Sequence, residues 1–92
     1  MAKLRCENVT AGLRPSEAVA VLIDVRNRRH FIRVERDFLS DVRGAQYLPV
    51  GIVNVDPKSR LVLVELPHEA ETGANRLWVK ADQLLEPVEA FA

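Results

Sequence analysis

Residues 47–85 read YLPVGIVNVDPKSRLVLVELPHEAETGANRLWVKADQLL, three β-rich runs divided by two breaks. Tyr47–Val55 is a strand. Pro49 lacks an N–H donor, which puts it at the strand's start or on an edge. Gly51 marks a candidate bulge, the device by which small sheets bend a strand sharply. Asp56-Pro57-Lys58-Ser59 carries the residues of a type I turn, Asp first and Pro second. Arg60–Leu66 follows, with Val62, Val64 and Leu66 alternating with Leu61 and Leu63. Both of its faces are apolar as far as Glu65, which predicts the most buried strand of the chain. Residues 67–75 form a polar loop with a turn at Thr72-Gly73, and Arg76–Lys80 is a short strand carrying Trp78. Ala81–Leu84 reads as one helical turn. The pattern specifies a small closed sheet and displays no chemistry.

Upstream, Ala18–Val25 is ambiguous between helix and strand by periodicity. Four β-branched residues in phase, Val19, Val21, Ile23 and Val25, select the strand. Ala18, Ala20, Leu22 and Asp24 then share its other face. Arg26–Arg29 is a polar break in which Asn27 tolerates a left-handed backbone. His30–Phe38 is a second strand, with Ile32 and Val34 on one face and Phe31, Arg33 and Glu35 on the other. Residues 39–46 read as a loop or a single helical turn. Residues 1–17 are an N-terminal arm or short strand, 18–86 the folded body, and 87–92 a frayed tail.

Ninety-two residues, 48% apolar and 28% charged, fit one domain with one core. Such a chain has little room for a deep substrate cavity as well, which lowers the expectation of an enzyme. Thirteen basic residues balance thirteen acidic ones, so the basic excess typical of nucleic-acid binders is absent overall. Residues 1–46 hold nine basic and six acidic side chains, and residues 47–92 hold four and seven. The N-terminus lacks an apolar signal segment, and the longest apolar run, residues 18–23, is far short of a membrane span. These features predict a cytoplasmic chain without membrane association.

The layout of five or six short antiparallel strands, with a single 3₁₀ turn near the C-terminus, resembles an SH3-like barrel. WVKADQLLEP, residues 78–87, is similar to the closing segment of that fold. Gly51-Ile52-Val53, Val62–Leu66, Gly73-Ala74-Asn75 and Asp82-Gln83-Leu84 also resemble the photosystem I reaction-centre subunit IV group. That likeness spans about 40 residues and implies an accessory role in electron transport. Peptide-binding SH3 domains line a groove with several aromatics. This chain has only Phe31, Phe38, Tyr47, Trp78 and Phe91.

Arg26, Arg28, Arg29 and His30, followed by Arg33 and Arg36, form the sharpest candidate site. Guanidinium forks match carboxylate and phosphate groups, so the cluster suits an acidic protein or a nucleic-acid backbone. The competing structural reading is a solvated turn balanced by Glu35, Asp37 and Asp41. Trp78 is a core or rim residue, or an anchor in a partner's groove. With Asn75 and Arg76, it and the 67–76 loop complete the expected contact surface. His68, Glu69 and Glu71 lie on a loop without a second histidine in sequence reach, so no metal is expected. Cys6 lacks a neighbouring base and reads as a small buried thiol. Ser16, Ser40 and Ser59 sit in turn contexts, and four scattered glycines make no phosphate loop. The expectation is a non-enzymatic, cofactor-free interaction module, monomeric or weakly dimeric. A nucleic-acid binder using Arg26–Arg36 is the alternative.

Overall fold

A computed structural model describes residues 2–85. The predicted tail at 87–92 lies outside the described residues. Eight strands run in the order β1 (Ala2–Arg5), β2 (Asn8–Ala11), β3 (Glu17–Ile23), β4 (Arg29–Glu35), β5 (Ser40–Val42), β6 (Ala45–Asp56), β7 (Leu61–Glu65) and β8 (Arg76–Lys80). Two 3₁₀ turns, Arg36–Phe38 and Ala81–Gln83, are the only helical segments among the described residues. The all-β class and the closing 3₁₀ turn are as the sequence predicts.

The expected closed cylinder is not what the strands make. They form two antiparallel sheets: one in the order β1-β6-β7-β8 with β5 also paired to β6, and one in the order β2-β3-β4. The N-terminal segment belongs to both. β1 pairs with Tyr47–Val50 of β6, and β2 pairs with Ala18–Val21 of β3. The chain changes sheets at Cys6-Glu7, where the Cys6 amide donates to Gln46 O and the Glu7 amide to Val21 O. Leu4 bridges to Leu84, and the Leu85 amide donates to Lys3 O, so β1 is enclosed on both edges. Its inward residues Ala2 and Leu4 are buried in the common core.

β6 is the long spine, and its local chemistry matches its neighbours. The Cys6–Gln46 bond sets the ladder so that Lys3 and Pro49 stand opposite each other as a non-hydrogen-bonded pair. The missing N–H of Pro49 therefore points to the stretch of the other edge between β5 and β7, where no strand competes for it. This replaces the predicted terminal or edge-strand position. The register of β6 against β7 slips between Ile52 and Asn54, which puts the bulge at Val53 instead of Gly51. Residues 39–46, predicted as a loop or helical turn, instead contain β5 and a two-residue hairpin turn. Arg43 and Gly44 both have positive φ (55° and 84°), the turn whose twist suits adjoining strands. Arginine at the first of these positions hid the hairpin from the sequence.

The core is drawn from the inward faces of both sheets: Leu4, Leu22, Ile32, Leu48, Val50, Val62, Val64 and Val79 are all essentially inaccessible. On β3 the buried face carries Ala18, Ala20 and Leu22, and the alternate Val21 is also covered. β3 is therefore more completely buried than β7, contrary to the prediction. On β7 only Val62 and Val64 are buried, and Leu61 and Leu63 on the outer face are partly buried. The outer side of this apolar strand is covered less completely than the inner one.

Candidate functional site

The β3–β4 hairpin is organised around a residue that the arginine pattern does not reveal. Asp24 continues the inward phase of Ala18, Ala20 and Leu22 and is 5% exposed. Its Oδ1 accepts from the Arg26 and Arg28 amides at 2.9 and 3.0 Å, and its Oδ2 from Arg28 Nε at 3.0 Å. Oδ2 also faces His30 Nε2 at 2.9 Å. Burial works to raise the Asp24 carboxyl, but the hydrogen bonds from His30, Arg28 and Arg26 outweigh it and hold the pKa at about 2. Asn27, with φ 64°, turns the chain as its residue type predicts.

His30 was expected at the exposed basic tip, but it is 5% exposed and faces the core. It stands in phase with Ile32 and Val34, and that alternation is the sequence signal that places it inside. Since a carboxylate only accepts, His30 Nε2 donates to Asp24. His30 Nδ1 lies 2.7 Å from Thr72 Oγ1, which ties the 67–75 loop to the hairpin. The Glu71 amide donates to Phe31 O at 2.8 Å, and Arg33 pairs with Glu71 at 3.4 Å. The loop is thus fastened along β4. Within it, Gly73, with φ 88°, makes the predicted turn back to Ala70.

The predicted contact residues fall into two groups. Arg28, Arg29 and Arg33 pair with Asp24, Glu7 and Glu71 respectively. Arg36 Nε donates to Pro15 O, and Glu35 pairs with Arg14. Three of the five arginines are paired, though with carboxylates other than the Glu35, Asp37 and Asp41 read from sequence. Arg26 holds its place through its backbone. Asn75 is a loop-closing residue, its Nδ2 donating to Leu66 O at 3.2 Å. Trp78 and Arg76 lie on the outward face of β8, and Trp78 O accepts from the Val25 amide at 2.8 Å. That bond joins the tip of the β3–β4 hairpin to β8.

Around Trp78 the outer face of β6–β8 forms a patch. The strand register places Leu63 beside Trp78, Leu61 beside Lys80, and Glu65 beside Arg76. On β6, Asn54 and Asp56 stand beside Leu63 and Leu61. Val53, thrown outward by the bulge, is 41% exposed, and Trp78 is 36% exposed. Arg76 Nε donates to Glu65 Oε1 at 3.0 Å. The apolar centre, Val53, Leu61, Leu63 and Trp78, is therefore bordered by charge. The sequence reading named Trp78 and Arg76 but took the two leucines as buried.

An open cleft of about 750 Å³ lies where the chain changes sheets and is bordered by Cys6, Glu7, Gln46, Lys80 and Asp82. Its chemistry is quiet. Burial pushes the Cys6 thiol up to about 11, so it stays protonated near neutral pH. Glu7 is engaged with Arg29. No cluster of three His, Cys, Asp or Glu side chains suited to a metal ion occurs among the described residues. No helix there is long and apolar enough to cross a membrane. No family model, curated protein or solved structure matches this chain.

Proposed function

We propose that this chain is a non-enzymatic interaction or accessory module of the cytoplasm that docks a folded protein through the outer face of β6–β8. The observation that carries the reading is the apolar outer face of β6–β8, where exposed Trp78 and Val53 stand with the partly buried Leu61 and Leu63. An apolar centre within a polar border is the composition of a docking face. A tryptophan held on a rigid strand supplies contact area at low entropic cost. Arg76, Lys80, Glu65 and Asp56 supply the border and orient the approach. The hairpin tip, joined to β8 by the Val25–Trp78 bond, extends this surface with Arg26. Nucleic-acid binding through Arg26–Arg36 is the weaker reading, since Arg28, Arg29 and Arg33 already have carboxylate partners.

The test is capture by immobilised full-length chain from its native lysate, with Trp78→Asp and Leu63→Asp as matched baits. Both positions face outward, and the Val25 bond uses the Trp78 backbone, so the variants keep the fold, as far-ultraviolet circular dichroism would verify. The native chain is expected to retain a defined protein that both variants lose. Equal capture by all three baits would refute the docking face.

A further inference from the structure

We infer that the protein docked on the β6–β8 face is a second copy of this chain, related by a twofold axis parallel to β7 and β8 and lying over the gap between them. This rests on the docking-face reading above and names its occupant. Outward-facing β8 carries Arg76, Trp78 and Lys80, and outward-facing β7 carries Glu65, Leu63 and Leu61. These stand in three rows, Glu65 with Arg76, Leu63 with Trp78, and Leu61 with Lys80. The face is thus basic along one strand and acidic along its neighbour at the Glu65 end, with an apolar row next to it. Asp56, one strand further on β6, extends the acidic side at the other end.

A twofold axis parallel to the strands preserves position along them and exchanges the β7 row for the β8 row. Arg76 then lies over the partner's Glu65, and Glu65 over the partner's Arg76. Trp78 lies over the partner's Leu63, and Lys80 over the partner's Leu61, with the partner's Asp56 one strand further on. Every charged residue at the Glu65–Arg76 end meets its opposite, and the apolar row meets itself. Such a surface is isologous, the requirement for a closed dimer. Aligned packing of two sheet faces needs no backbone change. The Arg76–Glu65 pair within each chain, both side chains about half-exposed, becomes a four-charge ring instead of being broken. A patch three residue rows deep on β7 and β8 makes an area below the standard interface size, so the dimer is weak and concentration-dependent.

Charge reversal tests the geometry directly. Sedimentation of the full chain from about 10 μM to about 1 mM, the range for an interface of this class, is expected to show a monomer–dimer equilibrium. Glu65→Arg makes the row doubly basic and Arg76→Glu makes it doubly acidic. Each variant alone is expected to self-associate on the order of tenfold more weakly. Mixed together they are expected to form a heterodimer, because each basic pair then faces an acidic one. That rescue requires two folded partners and so excludes misfolding as the cause of the single losses. A native chain that stays monomeric throughout, or a mixture no stronger than its components, would overturn the second-copy inference. The docking face itself would then stand or fall by the lysate capture, in which Trp78→Asp and Leu63→Asp either lose a different protein or do not.

Discussion

On the β3–β4 hairpin, polar side chains that point inward or sideways all find partners: Asp24 accepts four hydrogen bonds, His30 uses both ring nitrogens, and Arg28, Arg29 and Arg33 each meet a carboxylate. On β6–β8 Val53 and Trp78 are exposed and Leu61 and Leu63 partly buried, while their inward neighbours Val62, Val64 and Val79 lie in the core. Both regions leave an aromatic side chain outward, Phe31 on β4 and Trp78 on β8, but the hairpin also encloses a buried polar network, whereas the outer face of β6–β8 is apolar at its centre. A run of arginines is therefore the poorer guide to a binding surface here, and an apolar strand covered less completely on one side is the better one. Among the described residues no buried side-chain polar atom lacks a partner, so the fold tolerates uncovered apolar surface but not uncovered buried charge.

This contrast breaks most visibly at Asp24. Asp24→Ala removes an acceptor shared by two amides, a guanidinium and an imidazole in a buried setting. Urea unfolding is expected to show a loss of about 3–5 kcal/mol. The same carboxyl gives the fold an acid limit. Its pKa is lowered from 3.8 to about 2 in the folded chain, so the folded state resists protonation more than the unfolded one. Its contribution, about 2 kcal/mol by linkage, is complete above about pH 4 and is lost as pH falls towards about 2. Asp24→Asn is expected to flatten that part of the stability profile. An unchanged acid profile would assign the limit to another group.

Matched truncations separate the inner face of the sheet from its outer face. Leu48→Ala removes a side chain with no exposed area and is expected to cost about 2–5 kcal/mol in the monomer. Leu63→Ala on the outer face of β7 is expected to cost about 1 kcal/mol or less in the monomer. Equal losses would mean that the outer face is covered within the chain. Thr72→Val leaves His30 Nδ1 without its partner and is expected to cost about 1 kcal/mol. Amide exchange should then quicken across the 67–75 loop while β3 stays protected. Arg29→Ala breaks an exposed pair with Glu7 and is expected to change stability by about 1 kcal/mol or less.

The strands read at 18–25, 30–38, 47–55, 60–66 and 76–80 overlap β3, β4, β6, β7 and β8 because period-two alternation and turn residues agree there, although 36–38 turns into a 3₁₀ helix and Arg60 belongs to the turn before β7. Asn27 and the Asp56–Ser59 turn were legible by the same local chemistry. Asp24 and His30 were legible in principle. Each continues an inward phase, and β3–β4 pairing sets Leu22 opposite His30, yet the arginines around them drew the reading outward. Thr72 was not legible, since its partner lies 42 positions away. The exposure of Leu61 and Leu63 was not legible either. Sequence shows that both faces of β7 are apolar, but whether a second layer exists to cover the outer one is a property of topology. Barrel closure failed as an expectation for the same reason, because β1 and β2 divide one N-terminal segment between two sheets.

That divided segment sets an order of assembly. Strands 8–35 meet through near neighbours and can pair as soon as they leave the ribosome, whereas residues 2–5 must wait for 47–50 on one flank and for 84–85 on the other. Contacts of such sequence separation close slowly, and until they do Leu48, Val50 and Leu84 lack the strand that seals them. Changes that weaken β1 are therefore expected to prolong the interval in which this core surface is open to aggregation.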